Sequence, residues 1–219
     1  MIKKNIKKGF TLAEILGTMT LIGVVAAMTL PVIVQARPNK ELIMFRKAYA
    51  ETTRIVNDLI NDEDLYPDAE ESGLATTDAL KDFVTYFAQK MGSKGEVVTT
   101  AKTDFTTTPS FISADGMRWF IAYSADASNG QNFTIRVDVS ETAGDCVSGS
   151  QNCTTPDRFR IFVAKDGRIS LPVGDNDIER TYITTKNIKL TYSELKKIQD
   201  AEVAAAKAAA EAAKAQASD

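Results

Sequence analysis

The 219-residue chain contains no histidine. That absence removes Ser-His-Asp and Cys-His catalysis, together with the commonest protein ligand for zinc and iron. Cysteine is almost as scarce, with Cys146 and Cys153 the only two. Two thiols are too few to build a metal centre by themselves. In an exported chain they read as a small disulfide-closed loop, with two free thiols as the alternative. No nucleophile elbow, phosphate-cradling glycine loop or metal-hydrolase pattern is present. The chain therefore does not read as an enzyme, and no cofactor is expected. A glycosidase-style carboxylate pair stays open, because any two acids can meet in space.

An excess of positive charge is also missing: the formal net charge is −3. Lys3, Lys4, Lys7 and Lys8 supply +4 with no acid among the first nine residues, so the remainder stands at −7. An acidic body of this kind is poorly suited to a phosphate backbone, and direct nucleic-acid binding is not expected. Apolar residues make up 44% of the chain, enough for a folded domain with extensions.

What the chain does have is one long apolar run. Ile15 to Val34 carries no charge over twenty residues. As a helix this matches a hydrocarbon core about 30 Å thick. The lysines ahead of it place the N-terminus on the cytoplasmic side. A cleaved secretory signal has a shorter apolar core and a small-residue cleavage site, and nothing after Pro31 resembles one, so the apolar segment is expected to be kept. Glu14 lies at its front edge. A carboxylate at the centre of a membrane helix costs roughly 2.5–3.5 kcal/mol, and less near an end, where the side chain reaches the interface. A tolerated interfacial acid is the plain reading of Glu14.

The stretch "KKGFTLAEILGTMTLIGVVAAMTLPVIV" resembles the start of type IV pilins and of the pseudopilins of type II secretion. The basic leader, Gly9 before Phe10, Thr11-Leu12, Glu14, Gly23 and Pro31 carry the likeness, over about thirty residues. The resemblance implies that a membrane-embedded prepilin peptidase cuts between Gly9 and Phe10 and methylates the new Phe10 amine. It also implies that Glu14 neutralises that amine on a neighbouring subunit. At 4 Å and an effective dielectric near 20, such a pair gains about 4 kcal/mol, enough to offset burial. Gly23 and Pro31 would let the helix bend or loosen, with a helix end at the membrane surface as the alternative for Pro31.

Beyond the apolar run the periods change. From Asn39 to Ile60, Leu42, Phe45, Tyr49, Thr52, Val56 and Leu59 recur in steps of three and four, predicting an amphipathic helix that rests on a sheet. Acidic "NDEDLYPDAEESG" closes it as a solvated loop. Thr77 to Met91 reads as a second helix, with Thr77 as cap and Gly92 at the exit. Alternation then predicts three to five antiparallel strands, with hairpins at Asp115-Gly116 and Asp166-Gly167. Trp119 and Phe120 read as sheet-face residues, at least one of them in the core. The cysteine loop lies between two strands. "GDNDIE" (Asp175, Asp177, Glu179) and the group Asp138, Glu141 and Asp145 are candidate calcium ligands by composition, but neither has the twelve-residue EF-hand pattern, and no metal site is expected. Thr191 and Glu194 fit a capping box ahead of an alanine-rich helix with little to bury.

The expected fold class is α+β: a long N-terminal helix, transmembrane and then amphipathic, packed on a small antiparallel sheet, with an alanine-rich helical tail. In domain terms, residues 1–9 are the basic leader, 10–34 the transmembrane and assembly helix, and 35–62 its amphipathic continuation. Residues 63–190 form the α+β head and 191–219 the tail. By resemblance the chain is a structural subunit of a type IV pilus-like filament or a secretion pseudopilus. Its implied partners are other copies or related pilins, the prepilin peptidase, inner-membrane assembly machinery and membrane lipid. It would be an inner-membrane precursor first and part of a periplasmic or surface filament later. The rival expectation is a single-pass anchored monomer whose outer domain binds a ligand.

Overall fold

The computed structural model describes residues 11–35, 38–64, 74, 79–100, 105, 108–123, 131–140, 146–150, 153, 155–174 and 177–216. The chain divides into two compact units, Met1–Pro38 and Asn39–Asp219. The first holds helix α1 (Leu12–Gln35). In the second, two helices, α2 (Lys40–Ile60) and α3 (Ala79–Lys90), precede five strands. These are β1 (Phe111–Ile112), β2 (Arg118–Tyr123), β3 (Gln131–Asp138), β4 (Arg158–Ala164) and β5 (Ile169–Ser170). Helices α4 (Glu179–Thr184) and α5 (Tyr192–Gln216) complete the chain.

The expected single long helix is two helices. Pro38 has no backbone N–H to give to a helix, and it biases the residue before it away from helical geometry. Asn39 then starts α2 afresh: its backbone is extended, and its side-chain oxygen accepts the Leu42 N–H at 2.9 Å. Among the described residues, no helix is long and apolar enough to cross a membrane. The side chains of α1 are described only as far as Met28, whereas the uncharged run of the sequence continues to Val34. The expected transmembrane span is thus not found among the described residues.

The five strands form one antiparallel meander in the order β1-β2-β3-β4-β5. Alternation sends Trp119, Ile121, Phe133, Ile135, Phe159 and Ile161 to one face, where all are fully buried. Helices α2 and α3 cover that face. Phe45 of α2 stacks on Phe159 with ring centroids 4.5 Å apart, and Phe83 of α3 stacks on Phe133 at 4.1 Å. The buried stripe of α2 is Leu42, Phe45, Ala48, Thr52, Ile55, Val56 and Leu59, with Tyr49 at its margin.

On the opposite face Phe120 is also buried, against Phe105 with centroids 5.4 Å apart. One row of the ladder, Arg118-Asp138-Arg158, places a buried carboxylate between two guanidiniums at 2.9 and 3.3 Å. Both hairpins form where Asp-Gly occurs. Gly167 adopts φ +77, and a Cβ there would also come within 2.9 Å of Ile60, so the β4–β5 turn sits tightly under the end of α2.

Short polar ties hold the ends of this unit. The Asn39 N–H donates to the Ile188 carbonyl at 2.8 Å, and the Asn39 side-chain amide donates to the Leu190 carbonyl at 3.1 Å. Arg46 donates to the carbonyls of Tyr182 and Thr185 at the end of α4, where a cation suits the negative end of the peptide dipoles. Phe45 is therefore a keystone, touching both β4 and Tyr182 of α4. Phe45→Ala should lower unfolding stability by about 3–5 kcal/mol, measured as a reduced denaturant midpoint with an unchanged slope. A loss below 1 kcal/mol would contradict its place in the core.

Candidate functional site

Two places bear on function: the first turns of α1, and the polar cluster that holds the disulfide loop. Among the described side chains of α1, which end at Met28, the large apolar ones are exposed. Leu16, Met19, Leu21, Ile22, Val24 and Val25 are each between 48% and 68% exposed. At 3.6 residues per turn these positions point to every side of the helix. A helix that is hydrophobic all round belongs in an apolar environment, not in water. Helix α1 runs through Gly23 and Pro31 without a break. A Cβ built at Gly17 or Gly23 would meet nothing within 4 Å, so neither glycine is needed for packing among the described residues.

Glu14 has a local use that its expected role in pairing had hidden. Its carboxylate accepts from the Thr11 N–H at 2.8 Å and from the Thr11 hydroxyl at 2.9 Å. In return the Glu14 N–H donates to the Thr11 hydroxyl at 3.2 Å. This is the reciprocal capping box of a Thr-x-x-Glu helix start. The Thr-x-x-Glu spacing of "TLAE" carries this signal in the sequence beside the charge. Glu14 is therefore satisfied within its own helix, and any other partner must compete with Thr11. Gly9 and Phe10 lie outside the described residues.

The second place centres on Arg160. Cys146 and Cys153 are joined by a disulfide. Within the loop they close, Ser148 donates its hydroxyl to the Glu179 carboxylate at 2.7 Å. Glu179 is fully buried and also accepts the Arg160 N–H at 3.2 Å, while the Arg160 guanidinium lies 3.8 Å away. The same guanidinium donates to Asp177 at 2.5 Å. Burial pushes the Glu179 carboxyl above its ordinary range, and the Ser148 hydroxyl pulls it part of the way back.

The acids weighed as calcium ligands thus have other occupations: Asp177 and Glu179 face Arg160, and Asp138 faces Arg118 and Arg158. Asp175, Glu141 and Asp145 lie outside the described residues. Among the described residues, no group of three or more acids or cysteines is placed to hold a metal ion. Sequence reading missed this cluster because its parts are dispersed over three segments and only the tertiary fold unites them.

An acid whose folded-state pKa is raised favours the fold most while protonated. That contribution fades as pH rises from the ordinary carboxylate range through the raised value. Wild-type chain should therefore lose stability relative to Glu179→Gln as pH increases over that interval. Paired denaturant titrations across it check the sign; a wild-type midpoint that gained on the variant with rising pH would refute it.

Residues 4–30 match the family described as the prokaryotic N-terminal methylation motif. No curated protein and no solved structure matches the chain. The matched residues run from the lysine leader, across Gly9-Phe10 and the Thr11–Glu14 cap, into the uncovered part of α1. The chain accordingly carries, at its front, the prepilin-type signal of type IV pilins and pseudopilins.

Proposed function

We propose that this chain is a structural subunit of a type IV pilus-like filament or a type II secretion pseudopilus. The observation that carries the reading is a conjunction: a methylation motif at residues 4–30 that runs into a helix whose large apolar side chains, among the described residues to Met28, are exposed. The motif's family is structural rather than enzymatic, and it implies copies of the chain and a prepilin peptidase as partners. On this reading the precursor sits in the inner membrane through the uncharged run Ile15 to Val34, with the lysines in the cytoplasm. Peptidase cuts between Gly9 and Phe10 and methylates Phe10. The helix then leaves lipid and packs against the same helix of other copies, drawn in by inner-membrane assembly machinery. Gly23 and Pro31 give it the freedom to adjust there, and residues 39–219 form the body displayed outside.

Glu14 is given two successive jobs. Before assembly it caps α1 through Thr11. During assembly it turns to the Phe10 amine of a neighbour, where opposite charges in a poorly solvated site attract strongly. The capping box favours a second reading as well: in a monomeric membrane anchor, Glu14 would be a helix cap and nothing more. The two readings separate on one substitution. Glutamine at the third helical position still caps, but it carries no charge.

Mass spectrometry of the mature chain should find N-methylated Phe10 as the first residue, and Glu14→Gln should be processed yet leave filaments absent or at least tenfold fewer by electron microscopy. An intact lysine leader, or normal filaments from Glu14→Gln, would favour the anchor.

A further inference from the structure

The disulfide loop is joined to the C-terminal helix by an unbroken series of contacts. Ser148, inside the loop, donates to the buried Glu179 at the start of α4. Gly149, next to it, is so close to the cluster that a Cβ would come within 2.6 Å of the Asp177 carboxylate and 3.2 Å of the Arg160 guanidinium. The backbone of Asp177 then receives α5: the Gln199 side-chain amide donates to the Asp177 carbonyl at 2.5 Å and to the Gly174 carbonyl at 3.4 Å. Gln199 is only 4% exposed, so this polar seat is made inside the fold, where a lost partner is costly. Beside it α5 buries Leu195, while from Ala204 to Lys214 its side chains are exposed. The grip on α5 is thus confined to its first half: Tyr192, Leu195, Gln199 and half-buried Val203, with the ties of Asn39 ahead of its cap.

We infer that the Cys146–Cys153 bond acts as a redox latch for α5, holding Ser148 and Gly149 against the Arg160-Asp177-Glu179 cluster and so fixing the carbonyls that seat Gln199. Both cysteines are half-buried rather than sealed, which leaves the bond open to a thiolate. The chemistry is ordinary exchange with a dithiol reductant. One thiolate attacks a sulfur of the pair, the Cys146–Cys153 bond breaks, and the second thiol of the reductant resolves the mixed disulfide. Two electrons and two protons pass to the cysteines, and the reductant leaves as its own disulfide. With the loop released, Glu179 loses the Ser148 donor while remaining buried, and Asp177 loses the wall that Gly149 makes against it. The loop backbone also pairs with the first residue of β4, where the Ser148 N–H donates to the Arg158 carbonyl at 2.8 Å and the Cys146 carbonyl accepts from the Arg158 N–H at 3.2 Å. The start of β4 therefore loosens together with the seat of Gln199. A consequence, which rests on the export proposed above, is that α5 becomes fixed only after the head reaches an oxidising compartment. The coupling itself does not need that reading.

The test is amide hydrogen exchange on the full chain in detergent micelles, oxidised and after treatment with dithiothreitol. Reduction should speed exchange about tenfold in peptides spanning 178–185 and 192–203, the factor expected from losing one hydrogen bond to a charged group. Peptides of β2, β3 and α3 should change little. Ser148→Ala with the disulfide intact should reproduce most of the acceleration, and reduction of that variant should add little. Unchanged exchange in 192–203 on reduction would overturn the latch, as would equal acceleration throughout the sheet. Exchange in Ser148→Ala indistinguishable from wild type would overturn the route through Glu179.

Discussion

From Ile15 to Met28 helix α1 carries uncharged side chains that are mostly exposed, an unstable arrangement in water. Each exposed Leu, Ile, Val or Met of α1 forgoes roughly 1.5–3 kcal/mol that burial would give it. No side chain in the described part of α1 is fully buried. On the function proposed here, lipid would supply the missing cover before assembly and sibling helices would supply it afterwards. The lysine cluster, the methylation motif and the cap at Thr11 and Glu14 all fall in the first thirty residues of the sequence.

The second unit covers its apolar side chains itself. It does so with a conventional core: two amphipathic helices on one face of a meander, aromatic stacks between layers, and a buried carboxylate, Asp138, paired with two guanidiniums along one ladder row. Polar side chains do the joining at its margins. Asn39 ties the start of α2 to the approach of α5, Arg46 ties α2 to the end of α4, and Gln199 ties α5 to the Asp177 loop. Each is a single residue acting over more than twenty positions of sequence, so the unit's edges are specified by few contacts while its centre is specified by many.

Periodicity made the centre legible. Leu42, Phe45, Val56 and Leu59 lie on the buried stripe that their spacing predicted, and the Phe133-Ile135-Val137 alternation faces the core. Both Asp-Gly pairs mark hairpins, and Thr191 and Glu194 form their capping box at 2.8 Å. What stayed hidden had no period to announce it. Strands β1 and β5 are two residues each, and α4 is six, too short for any repeat to emerge. The Arg160 cluster depends on residues near 148, 160 and 178, which only the fold unites. The interruption at Pro38 is visible in the sequence, and the Asn39 cap that follows it starts a new helix; Thr11-x-x-Glu14 is a cap as well as a charge.

Where α1 finds its cover is the point on which the whole account turns. Photo-crosslinking from a benzophenone side chain placed at Leu16, which is 58% exposed, reads it directly. In unassembled membranes the probe should label lipid, and in filaments it should join two copies of the chain through α1. Adducts confined to the same molecule's own residues 39–219, in both states, would contradict the claim.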